Sequence, residues 1–348
     1  MCGIVGYIGK TPITLKSLVD NAEFNSYRGD DGVGMIYLDN DKFKIRKYIL
    51  TLEEIKDTTL NEDRVCVKTR VGSFEFNTID KEAYNKKNEE FSRKMKQILN
   101  LESKFAFIHH RKGTYGDDSI KNLHPIKFQD KYYIHNGTAY GIYAVRNYLQ
   151  VFHNMKLTSE IDTEILGILY TKLKETYSDK SDVYKSLQDM FPNGWGVLIE
   201  IDTKSGDVTI IKDNTRELWL YILDSGGIML ISEPTPYIDS FKKVIRLSSG
   251  IFSLRNKDYV GIDYTEELTQ ALTDWNNLNQ LKFIKCDRCE KTKYVTRINR
   301  QYSNVFDDFC LECQLFKLKE QKTGEKNKTP SVRDYNRMYI GELCYKFT

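Results

Sequence analysis

Two stretches of this chain alternate apolar and polar residues in short runs, and the stretch between them carries apolar residues at helical spacing. Cys2–Ile8 reads as a strand with glycines for close backbone approach, and Pro12 to Asn25 as a helix opened by its proline. Val33–Leu38 and Phe43–Ile49 alternate like a hairpin around Asp39-Asn40-Asp41. Lys81–Leu101 is charge-rich, with Tyr84, Phe91, Met95 and Ile98 at helical spacing. Phe105–His109 and Lys131–His135 are short strands that end in polar residues. Asp162–Thr176 places Ile165, Leu166, Leu169 and Leu173 on one helical face. Strands follow at Gly196–Ile201, Val208–Lys212, Leu218–Leu223 and Ile228–Ser232, and Glu266–Leu278 reads as a last helix. Strands grouped at both ends with helices between them predict stacked sheets flanked by helices, an α+β fold, rather than a parallel βαβ series.

Composition narrows this little. With 348 residues, 40% hydrophobic and 29% charged, the chain has room for one large domain and a small appendage. The net charge of +3 names no partner, but its distribution is uneven. From Lys282 onward fifteen Lys/Arg face nine Asp/Glu, which leaves residues 1–281 near −3. No apolar run is long enough to span a bilayer, no basic segment opens the chain as a signal peptide would, and no glycine-rich phosphate loop occurs. Seven cysteines at uneven spacing, four of them in two CxxC pairs, point to a reducing compartment, so a cytoplasmic protein without membrane attachment is expected.

Chemistry enters at Cys2. A thiol directly behind an initiator methionine becomes N-terminal once Met1 is removed. The freed α-amine, with an ordinary pKa of about 8, can then act as its general base. Alone, a second-position cysteine is usually just a residue. Arg111 alone reads as a strand-end arginine, Asp162 as a helix cap and Asn136-Gly137 as a hairpin turn. Their company changes this. Cys2-Gly3-Ile4-Val5-Gly6, then Tyr27-Arg28-Gly29-Asp30-Asp31-Gly32-Val33-Gly34, His109-His110-Arg111-Lys112-Gly113-Thr114-Tyr115-Gly116, Leu123-His124-Pro125, His135-Asn136-Gly137, Asp162-Thr163-Glu164 and Ser232-Glu233 follow one another in order.

This series resembles the class II glutamine amidotransferases, from Cys2 to about Glu233. The resemblance implies a four-layer αββα N-terminal-nucleophile hydrolase sandwich over residues 2–255; beyond it the residue pattern predicts a connecting helix over 256–281 and a small C-terminal module over 282–348. It also implies that Cys2 attacks the side-chain amide of glutamine, with Asn136 and the Gly137 N–H stabilising the oxyanion. Arg111 would hold the substrate carboxylate, Asp162 its ammonium, and Arg28 would order the loop around the nucleophile. The chain departs from the family at Lys112-Gly113, where Trp and Ala are common. His109, His110, His124 and His135 are not at compact metal-ligand spacing and read as structural or supporting.

The tail carries a second signal. Cys286-Asp287-Arg288-Cys289 and Cys310-Leu311-Glu312-Cys313 are twenty residues apart, the spacing of a closed four-thiolate zinc site such as a zinc ribbon. Lys285, Arg288, Lys291, Lys293, Arg297 and Arg300, interleaved with Tyr294, Tyr302 and Phe306, would suit nucleic acid or protein. Family members usually carry a further domain that consumes the ammonia, and the stretch after the last strands is too short for one. The expected function is therefore a glutaminase that supplies ammonia to a separate acceptor enzyme. The alternative is a non-catalytic protein that keeps the fold and binds nucleic acid or protein through its basic zinc module.

Overall fold

A computed structural model of the protein describes residues 2–23, 31–49, 93–235, 238, 241–257, 261–264, 282–285 and 292–295. Arg28, Cys66, the helix expected at Glu266–Leu278 and the four cysteines Cys286, Cys289, Cys310 and Cys313 lie outside them. The chain divides into two compact units, Met1–Trp275 and Asn276–Thr348.

The first unit is built on two antiparallel sheets. One has seven strands in the order β11 (Phe241–Arg246), β9 (Trp219–Leu223), β10 (Ile228–Ile231), β1 (Gly3–Thr14), β4 (Glu102–Arg111), β2 (Gly32–Asp39) and β3 (Lys42–Tyr48). The other has six, in the order β13 (Gly261–Tyr264), β12 (Gly250–Lys257), β8 (Val208–Lys212), β7 (Val197–Asp202), β6 (Lys131–Asn136) and β5 (Ile126–Phe128). Because side chains alternate across a strand, β1 sends Ile4 and Ile8 to one face and Val5 and Tyr7 to the other, all buried. Ile4, Ile8, Phe105, Phe107 and Leu230 of the first sheet share one cluster with Ile134, Val197, Ile199, Ile210 and Phe252 of the second. Each such side chain contributes about 1.5–3 kcal/mol.

Helices cover the outer faces. α1 (Leu15–Glu23) buries Leu15, Leu18, Val19 and Ala22 and packs on β1 and β4. A helical stretch, α2 (93–99), leads into β4 and buries Met95 and Leu99. On the six-stranded sheet lie α3 (Ile142–Phe152), α4 (Asp162–Thr176) and α5 (Lys180–Met190). Their Ile142, Ile165, Leu166, Val183 and Leu187 pack against Tyr133, Leu198, Ile211 and Ile251 of its strands. The described residues of this unit thus form an α+β arrangement of two sheets between helical layers. The second unit shows one hairpin, β14 (Lys282–Lys285) with β15 (Thr292–Val295).

The helix expected from 256 is corrected at its start, where β12 runs to Lys257 and pairs with β13 at Gly261–Tyr264, and a second expected element is corrected as well. Pro12 does not open a helix: β1 runs on to Thr14 and α1 begins at Leu15. Pairing of β1 with β4 breaks register between Ile8 and Ile13, so Pro12 sits where no ladder hydrogen bond is lost. Thr14 Oγ1 then accepts the Ser17 N–H and starts the helix.

Candidate active site

Cys2 stands at the start of β1, between β10 and β4. Across from it, Gly3 pairs with His110, and a Cβ on Gly3 would strike the His110 ring at 1.7 Å. That close approach brings the thiol to the backbone just past the end of β4. Cys2 Sγ accepts the Lys112 N–H at 3.2 Å and reaches the Lys112 carbonyl at 3.4 Å. Burial pushes the thiol pKa up, while the positive chain terminus, the Lys112 N–H and Arg111 pull the other way.

Arg111 closes β4 and is buried. Its guanidinium is wrapped by the segment that follows it. Nη1 donates to Asp118 Oδ1 at 2.9 Å, and Nη2 donates to the carbonyls of Tyr115 at 2.7 Å and Gly116 at 3.3 Å. Asp31 pins the same segment from β2: its N–H donates to the Arg111 carbonyl at 3.0 Å, its Oδ2 accepts the Gly113 N–H at 2.6 Å, and its Oδ1 lies 3.6 Å from Lys112 Nζ.

The second sheet supplies the facing wall. β6 ends at Asn136, whose side chain is buried. Asn136 Nδ2 donates to Ser232 Oγ at 3.2 Å, and Asn136 Oδ1 has no hydrogen-bond partner among the described residues. Ser232 Oγ also accepts the Ile4 N–H at 2.9 Å, and the Ser232 N–H donates to the Ile4 carbonyl at 2.9 Å. One hydroxyl therefore ties the Asn136 amide to the strand that begins with Cys2. Gly137 lies so close to the next strand that a Cβ would fall 1.9 Å from the Trp195 carbonyl. The Trp195 and Gly196 N–H groups are in turn held by Asp213 Oδ2.

Asp162 is the first residue of α4 and is buried. Its Oδ2 accepts the Ala139 N–H at 3.1 Å and its Oδ1 lies 3.3 Å from His135 Nδ1. Its charge also acts on the Cys2 thiol and raises its pKa. Glu164, two residues on in the first turn, accepts the N–H and hydroxyl of both Thr158 and Ser159, which fixes the approach to the helix. Behind the site His109 stacks on His124 with ring centroids 3.9 Å apart. Burial first, then the neighbouring histidines and Arg111, hold both rings well below the usual imidazole range.

Five sequence-marked residues, Cys2, Arg111, Asn136, Gly137 and Asp162, are thus joined by short paths at one end of the two sheets. Sequence reading gave no role to Asp31, Asp118, Glu164, Asp213 or Ser232. Asp31, Glu164 and Ser232 do lie inside the motifs, which is the one signal that could have marked them.

No family model matches the chain. Among curated proteins it is similar to the glutamine–fructose-6-phosphate aminotransferase [isomerizing] of Oceanobacillus iheyensis, 24% identical over 319 residues, 87% of this chain and 45% of the relative. The protein of that name from Helicobacter pylori is 25% identical over 331 residues, 90% of this chain and 45% of the relative. The chain spans less than half the length of these relatives. Among solved structures, the glutamine phosphoribosylpyrophosphate amidotransferase of B. subtilis superposes with a TM-score of 0.48 at 16% identity, over 76% of this chain and 49% of that one. A class-II glutamine aminotransferase domain protein of Silicibacter pomeroyi gives 0.37 at 13% identity, over 73% of this chain and 99% of that one. Among the described residues no helix is long and apolar enough to cross a membrane.

Proposed function

We propose that the chain hydrolyses L-glutamine to glutamate and ammonia, with Cys2 as an N-terminal nucleophile after removal of Met1. Similarity to glutamine–fructose-6-phosphate aminotransferases over most of the chain supports glutamine chemistry in general. The observation that carries the finer reading is the hydroxyl of Ser232, which joins the Asn136 amide to Ile4, two residues from the thiol. Nucleophile and amide donor are thereby held on adjoining strands of two different sheets, as a preorganised oxyanion site requires.

The chemistry then runs as follows. The α-amine of Cys2 takes the thiol proton as Sγ bonds to the amide carbon of glutamine. Charge develops on the amide oxygen, where Asn136 Nδ2 and the Gly137 N–H would donate. The α-ammonium returns its proton to the leaving nitrogen, the C–N bond breaks, and ammonia departs from a thioester. Water, deprotonated by the same amine, cleaves that thioester to glutamate and restores the thiol. Arg111 would hold the substrate carboxylate, Asp162 its ammonium, and Arg28 would order the neighbouring loop.

Ammonia released in this way needs an acceptor, and a separate enzyme docked through the basic C-terminal module is the partner this reading favours. Cys286, Cys289, Cys310 and Cys313 would hold a structural zinc there. In support, the Cys286–Cys289 pair falls in sequence between the paired strands β14 and β15. The test of the central claim is direct. Intact mass should show a chain beginning at Cys2, and a glutamine-mimicking electrophile such as 6-diazo-5-oxo-norleucine should label that residue alone. Full glutaminase activity in a chain that retains Met1 would refute the mechanism.

A further inference from the structure

Both ring nitrogens of His135 face acceptors. Nε2 lies 2.6 Å from the Trp195 carbonyl oxygen, and Nδ1 lies 3.3 Å from Asp162 Oδ1. A carbonyl has no proton to give, so Nε2 must carry one. On the other side, the second Asp162 oxygen already accepts the Ala139 N–H, so the carboxyl group meets its neighbours as an acceptor there too. A neutral ring with its proton on Nε2 would set a bare Nδ1 lone pair against that carboxylate. A proton on each nitrogen satisfies both contacts.

We propose that His135 is a resident imidazolium, ion-paired with Asp162, and that the pair is a clamp on the turn formed by residues 136–138. Asp162 holds that turn at both ends, through the His135 ring before it and the Ala139 N–H after it. Asn136 and Gly137 lie between these two contacts, so their aim depends on the clamp if they are the oxyanion donors, a role that rests on the proposed glutaminase reading. His135 is then a positioning residue, and Asp162 has a structural duty beside any contact with the substrate.

The surroundings agree. His135 and Asp162 are both buried, and two opposite charges removed from water together are tolerated where either alone would not be. Burial lowers the imidazole pKa, yet the charge and hydrogen bond of Asp162 and the Trp195 carbonyl outweigh it, and the net direction is upward. Arg216, before β9, opposes this. His109 of β4, whose Nε2 meets the His135 carbonyl at 3.1 Å, and His124 beyond it are held neutral and add no positive charge. Asp213 faces the far side of the Trp195–Gly196 backbone rather than the ring.

Two-bond proton–nitrogen correlation spectra of the full chain, labelled with ¹⁵N-histidine, read the protonation of each ring without any substrate. At about pH 8, well above the ordinary imidazole pKa of about 6.5, one ring should carry protons on both nitrogens while the others carry one. Asp162→Asn should convert that ring to a single-proton form at the same pH, and His135→Gln should delete its signals. The absence of any doubly protonated ring in the unmodified chain would overturn the proposal even if neither variant folds. So would a doubly protonated ring that survives either substitution. Loss of the glutaminase reading would leave the spectra, and the charged pair, unaffected.

Discussion

The buried guanidinium of Arg111 is paired with the carboxylate of Asp118 at 2.9 Å, although Asp118 is 61% exposed. A carboxylate of the protein therefore sits on the group proposed to receive the carboxylate of glutamine, and binding has to exchange one for the other. Asp118→Asn removes the competing charge. An exposed partner of this kind is worth about 0.5–1 kcal/mol, so the apparent affinity for glutamine should rise by a factor of about 2–5. Arg111→Lys, which keeps the charge and loses the planar fork, should weaken binding instead, by roughly 2–3 kcal/mol. Glutamine titrations against both variants check the two signs, and equal affinity in all three proteins would misplace the carboxylate site.

Ser232→Ala should separate catalysis from binding. The substitution strips an acceptor from the Ile4 N–H and from Asn136 Nδ2 while touching neither Arg111 nor Asp162. Leaving such groups unpaired costs about 1–3 kcal/mol, so the turnover number should fall by roughly tenfold or more. KM should change little. Steady-state kinetics with glutamine decide the matter: a raised KM at constant turnover would move Ser232 from the amide donor to the substrate pocket.

Stability should respond to pH through His135. Its folded pKa is raised, so its stabilising contribution is complete below the unfolded value of about 6.5 and is lost as pH climbs through the folded value. Asp162→Asn removes the cause of the shift. The gap in denaturation midpoint between the unmodified chain and this variant should therefore narrow as pH rises above about 6.5. A gap that widens over the same interval would contradict the charged pair.

For the C-terminal module the expected outcome is elemental. Purified protein should contain about one equivalent of zinc per chain, as a closed four-thiolate site demands. Serine at Cys286 and Cys310 should abolish it and leave glutamine hydrolysis by the first unit in place. A native, metal-free protein with a folded tail would rule the site out.

Much of the candidate site was legible because its residues sit in short motifs: Arg111 ends a strand, Asn136-Gly137 a turn and Asp162 a helix start, each with local chemistry of its own. Asp31, Asp118 and Ser232 act through contacts that the motifs do not print. Ser232 meets Ile4 across 228 residues of sequence, and no local pattern encodes that. In the fold, α3 was missed because its faces do not separate. Ile142 and Leu149 are buried, but Tyr143, Tyr148, Val151 and Phe152 are exposed, so no clean stripe marks the helix. β11 was missed for the opposite reason: an edge strand reading Phe-Lys-Lys-Val-Ile-Arg buries only Ile245 fully.

β1 is made well before either of its two neighbours. β4 arrives about a hundred residues afterwards, and Ile228–Ile231 of β10 more than two hundred. At about 5–20 residues per second the ribosome needs roughly 10–50 seconds to deliver the second of them. Through that interval β1 lacks one of the two strands that flank it in the folded sheet. On the proposed mechanism an aminopeptidase has to remove Met1 to free the α-amine of Cys2, whose side chain is buried in the folded chain.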